Sequence, residues 1–95
     1  MTVSEAKGST VDTLAEVRSG LPEGGSIDLL EVPGGVRIRA VFTRRHRLDG
    51  ALEFQTVGSD PYRVYVPGED EQLTLALRSA RRGIDAKARL YGVAR

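Results

Sequence analysis

Residues 44–47 read Arg-Arg-His-Arg, four consecutive side chains that can carry positive charge, and His46 is the single histidine of the chain. Arg37 and Arg39, in the alternating run just before, add a second pair. Arginine at this density is chemistry for anions: the planar guanidinium donates in pairs to phosphate or carboxylate and stays charged across the physiological range. In a strand, Arg37 and Arg39 project from one side about 7 Å apart, close to the spacing of successive phosphates on a nucleic-acid strand. Arg63 and Tyr65 extend this face if their segment keeps the same sense, and a tyrosine among arginines can stack a base. Arg44, Arg45 and Arg47 sit at a hairpin tip, where a basic ribbon can follow a phosphate backbone. The candidate anion-binding set is thus Arg37, Arg39, Arg44, Arg45, Arg47, Arg63 and Tyr65. A plainer account stands beside it. Outer sheet faces carry charge for solubility, and Glu53 lies within diagonal reach of Arg45 in one allowed register. A third cluster, Arg78, Arg81 and Arg82, suits the C-terminal turns of a helix, where cations offset the dipole.

Catalytic chemistry is hard to assemble from what remains. His46 lies among arginines in an expected loop, and no serine is placed by the sequence to reach it. A zinc site needs three or four Cys, His or carboxylate ligands, and the chain has one His and no Cys. Glu69-Asp70-Glu71 is better explained as acids at a helix N-terminus than as a calcium loop. Gly24-Gly25 and Gly34-Gly35 lack the following Lys-Ser/Thr of a phosphate-binding loop. The expectation is a non-enzymatic protein with no catalytic residue, cofactor or metal.

Composition agrees with a small soluble domain. The 95 residues are 40% apolar and 28% charged, a balance that points to a folded chain with one modest core. Five aromatics (Phe42, Phe54, Tyr62, Tyr65, Tyr91) leave most of that core to Val, Leu, Ile and Ala. The absence of cysteine fits a reducing compartment. No run approaches the ~20 apolar residues of a membrane span, and the N-terminus lacks a signal pattern, so the expected location is cytoplasmic. Net charge is +1, but residues 1–35 carry −4 and residues 36–95 carry +5. Such a split marks either an anionic partner for the second part or an acidic segment lying over a basic one.

The elements that must position these residues follow from pattern. Residues 1–8 are polar and expected to be flexible, with a single domain over 9–95. Ser9 and Asp12 have capping-box spacing, Val11, Leu14 and Val17 recur at helical intervals, and Gly20 is a natural stop. "IDLLEV" at 27–32 is a short strand of unclear facing. In 36–44, Val36, Ile38, Ala40 and Phe42 face one way, Arg37, Arg39, Val41 and Thr43 the other. Asp49-Gly50 marks a hairpin. Phe42 and Phe54 share the core face only if paired positions sum to an even number, which favours a loop of three or five residues. Residues 62–66 read as a fourth strand. A helix follows from 69 to 82, with Leu73, Leu77 and Ala80 as its stripe and Gly83 as its end. The tail 84–94 fits strand or helix, with strand preferred.

The expected order is α-β-β-β-β-α-β: an α+β domain whose mainly antiparallel sheet of four to five strands carries two helices and leaves its other face in water. The expected function is binding of DNA or RNA through backbone phosphates. The alternative is a protein-interaction module, a homodimer or an adaptor for an acidic protein, and neither involves a membrane.

Overall fold

The computed structural model of the chain describes residues 3–58 and 60–92, with side chains described from Thr10 onward. Helix α1 (Val3–Arg18) is followed by strands β1 (Gly25–Val32), β2 (Gly35–Arg45) and β3 (Leu52–Thr56), then helix α2 (Asp70–Leu90). The strands form an antiparallel sheet in the order β1-β2-β3. Both helices contribute to a single core on one side of it. This is a small α+β domain, and among the described residues its sheet has three strands where four or five were expected.

The pleat of β2 sorts residues as its alternation predicts. Ile27 lies opposite Ala40 and Leu29 opposite Ile38, so the apolar positions of two strands line the same side. Phe42, Ile27, Leu77 and Ile84 are its largest fully buried side chains.

The second register departs from expectation. Phe42 pairs with Gln55 and Phe54 with Thr43, so positions sum to an odd number and the two phenylalanines face opposite ways. Phe42 is 0% exposed and Phe54 66%. The residues between the Arg45–Leu52 pair, 46–51, make an even loop. Asp49 holds its turn by accepting the Ala51 N–H at 2.9 Å. Gly50 adopts φ +73°, a conformation cheap only for glycine. Facing the helices, β3 instead carries Glu53, which pairs with Arg44 at 3.0 Å, and Gln55, which donates to the Tyr91 hydroxyl at 3.2 Å. These polar partners offset part of the cost of turning Glu53 and Gln55 inward, and that is what the phenylalanine argument left out.

The fourth strand shrinks to one bridge, Tyr65 with Val36. Three of its other N–H groups are committed elsewhere: Tyr62 to the Asp60 carboxylate at 3.2 Å, Arg63 to the Asp60 carbonyl at 3.3 Å, Val66 to the Glu69 carboxylate at 2.9 Å. Pro61 and Pro67 have no N–H to offer a ladder.

Both helices are longer than expected. Helix α1 begins at Val3 rather than near Ser9. Among its described side chains Thr10, Thr13 and Val17 are buried, while Val11 is exposed. The Thr10 hydroxyl donates to Asp70 at 3.2 Å, which lets a polar residue occupy the interhelical seam. Helix α2 runs through Gly83 to Leu90, so the part of the tail expected as strand is helical up to that residue, and Val93–Arg95 lie outside the described residues. An interior glycine costs about 1 kcal/mol against alanine. Burying Ile84 returns about 1.5–3 kcal/mol, and Ile84 is fully buried with Ala88 below it. The helix stops instead at Gly92, whose φ of +69° suits a left-handed cap.

Gly83 is there for closeness. A Cβ built on it falls 2.5 Å from the Val57 side chain. Gly83→Ala is therefore expected to lose more by overpacking, about 1–3 kcal/mol, than the ~1 kcal/mol it gains in helix propensity. Thermal unfolding should show a lower Tm, and adding Val57→Ala should recover the clash part of the loss.

Arg81 fastens the two helices. Its guanidinium donates to the carbonyls of Val17 and Ser19 at 2.7 Å and of Gly20 at 3.0 Å, while Nε holds Asp85 at 3.0 Å. These carbonyls are the loose acceptors at the end of α1. Arg81→Ala is expected to cost about 2–3 kcal/mol, the scale of charge-assisted bonds at a half-shielded site. Urea titration followed by circular dichroism checks it, and a loss below ~0.5 kcal/mol would contradict the fastening role.

Candidate functional site

Strand alternation divides the arginines. On β2 the positions facing away from the helices are Arg37, Arg39, Val41, Thr43 and Arg45, and β3 adds Leu52, Phe54 and Thr56 to that face. No helix residue lines the depression on it, which is bounded by Arg37, Ile38, Arg39, Val41, Phe54, Thr56, Pro61 and Tyr62. The result is an open sheet face carrying three guanidinium groups and two exposed rings, Phe54 at 66% and Tyr62 at 78%.

The candidate residues separate into two groups. Arg37, Arg39 and Arg45 share the open face, and Arg47 is exposed in the loop that follows β2. None of these four forms an ion pair among the described residues. Arg37 lies 5.9 Å from the Tyr62 ring centroid, and its buried Nε has no hydrogen-bond partner. Arg45 donates to the Gly50 carbonyl at 2.6 Å and keeps its charge uncompensated. Among the described strand residues one acid lies on this face: Asp28, opposite Arg39 on β1, whose carboxylate is held by Arg18 from the end of α1.

Arg44, Arg63 and Tyr65 belong elsewhere. Arg44 points to the helix side, bonded to Glu53 and 4.1 Å over the Tyr91 ring. Arg63 pairs with Glu69 at 3.0 Å and covers the Tyr65 ring at 4.5 Å. The Val66 N–H that Glu69 accepts, more than the guanidinium beside it, holds the Glu69 carboxyl below its ordinary range. Tyr65 is 7% exposed and part of the core. The run 44–47 is therefore not one patch: Arg44 and Arg45 lie within β2 on opposite faces, and His46 sits 3.4 Å from Asp49 in the loop. Helix α1 of the acidic N-terminal part packs beside α2 rather than on the open face, with Glu16 3.5 Å from Arg78.

The sequence reasoning missed Phe54 and underused Tyr62. The signal for Phe54 was present in Glu53 and Gln55, two polar residues able to find partners inside.

No protein-family model, no curated protein and no solved structure matches this chain. The site must be judged on its own chemistry. The depression holds about 280 Å³, at or below the ~300–1,000 Å³ of small-ligand sites. A surface of fixed cations around a shallow floor suits an extended anion better than an enclosed one. Among the described residues, no group of three or more acids or histidines is placed to hold a metal ion. No helix in them is long and apolar enough to cross a membrane.

Proposed function

We propose that the open sheet face binds nucleic acid through its backbone phosphates, without catalysis. The observation that carries this reading is the gathering of Arg37, Arg39 and Arg45 on one open sheet face, with exposed Arg47 in the adjoining loop, and none of the four in an ion pair among the described residues. Uncompensated guanidinium groups repel one another. Phosphates relieve that repulsion and release condensed counterions, which favours binding at low salt. Arg44, Arg63 and Tyr65 drop out of the contact set, because their partners lie within the fold. Anisotropy titration of labelled oligonucleotides at two salt concentrations tests the reading. Affinity should fall with salt on a log–log slope of about 0.7–0.9 per phosphate contacted. Absence of binding at low salt, or binding indifferent to salt, would refute it.

A protein-interaction role has its own support in the free edge of β3, where Leu52 and Phe54 are 54% and 66% exposed. An unpaired edge with apolar side chains is a template for a second chain. Light scattering separates the two: a dimer that dissociates when Phe54 is replaced by glutamate would favour this second reading.

A further inference from the structure

We propose that the nucleic acid recognised by this face is an unpaired strand, its bases stacked on Phe54 and Tyr62; the proposal rests on the phosphate-binding reading above. Arginines without acidic partners would alone serve a duplex equally well. The two rings would not. A duplex keeps its base faces inside its own stack and offers a protein only backbone and base edges. Ring faces on an open sheet find partners in bases that are already unstacked.

The order of side chains across the face fits such a strand. Tyr62 lies beside Arg37, then comes Arg39, then Val41 next to Thr56, then Thr43 next to Phe54, then Arg45. Arg37 to Arg45 spans eight residues of strand, roughly 26 Å at ~3.3 Å per residue, or about four extended nucleotides. Arg37 lies over Tyr62, yet that ring remains 78% exposed, which leaves room for a base. Phe54 has no polar atom to justify its place in water, and it borders the same depression as Arg39. A second copy of this chain is a poorer occupant of the whole face, because it would set these unpaired cations against its own.

The experiment compares short single-stranded RNA, single-stranded DNA and duplex DNA of one length, by anisotropy at one salt concentration and then across salt. The proteins are the wild type, Phe54→Ala, Tyr62→Ala and Arg39→Gln. The expected result is tighter binding of single strands than of duplex. Each aromatic replacement should weaken single-strand binding roughly 5- to 150-fold, the range for one lost stacking partner, with the salt slope unchanged. Arg39→Gln should lower the slope by about 0.7. If duplex binds as tightly as single strands, or the aromatic variants bind like wild type while Arg39→Gln weakens, the unpaired-strand proposal is overturned and phosphate binding stands. If no oligonucleotide binds at low salt, both fall. Equal loss with RNA and DNA supports stacking on either, and a difference between them reports contacts to the 2′-hydroxyl.

Discussion

Replacing Phe42 with alanine should remove about 3–5 kcal/mol of stability, while the same change at Phe54 should cost about 0.5 kcal/mol or less. The two residues are the chain's only phenylalanines and lie on neighbouring strands, and the register alone separates them. Phe42 is fully buried beneath α2 and its ring stacks at 6.1 Å on Tyr91. Its truncation loses the transfer energy of the ring and leaves a cavity that the rigid pleat closes poorly. A domain of this size holds roughly 5–14 kcal/mol in total, so Phe42→Ala would leave it marginal or partly unfolded at ambient temperature. Urea unfolding followed by circular dichroism reads both values, with the slope unchanged if the transition stays two-state. Similar losses at the two positions would contradict the odd register and with it the composition of the open face.

Arg37→Gln with Arg39→Gln should weaken oligonucleotide binding roughly 25-fold at 0.1 M salt, from two phosphate contacts each worth about 0.7 of a decade. The comparison that gives this force is Arg82→Gln with Arg89→Gln on the exposed side of α2. That pair removes the same two charges, and both residues lack an ion pair among the described residues. At a Debye length of ~10 Å its effect should be no more than about twofold. Equal losses from the two double variants would mean that net charge, rather than this face, draws the anion. Neither pair belongs to the core, so the folded state should persist in both.

The sequence made some of this architecture readable. The alternation in β2 placed Arg37 and Arg39 opposite Ala40 and Phe42, because a strand with one buried side has little freedom to do otherwise. The stripe of Leu73, Leu77 and Ala80 placed α2. The errors came where a local signal met a distant partner. Gly83 looked like a stop because its use, close contact with Val57, is invisible along the chain. The early start of α1 was hidden in the same way, because Thr10 is held by Asp70, far along the chain. The candidate site was misread at its ends for the same reason. Tyr65 and Arg63 form a core edge secured by Glu69, and Arg44 answers to Glu53 and Tyr91. Charge density pointed to β2, and only the pleat and its pairings showed which of its arginines lie on the open face.

The bonds from Arg81 to the end of α1 join residues 61 to 64 positions apart. Hairpins close over a handful of residues. Closing the longer loop costs about 2 kcal/mol more in chain entropy. The sheet is thus expected to nucleate folding, with the two helices meeting only after the barrier has been crossed. In kinetic terms the Arg81 fastening acts as a late latch. Arg81→Ala should accelerate unfolding roughly 30- to 160-fold, the whole of its ~2–3 kcal/mol, and leave the refolding rate almost unchanged, so that the bond governs how long the native state lasts rather than how quickly it is reached.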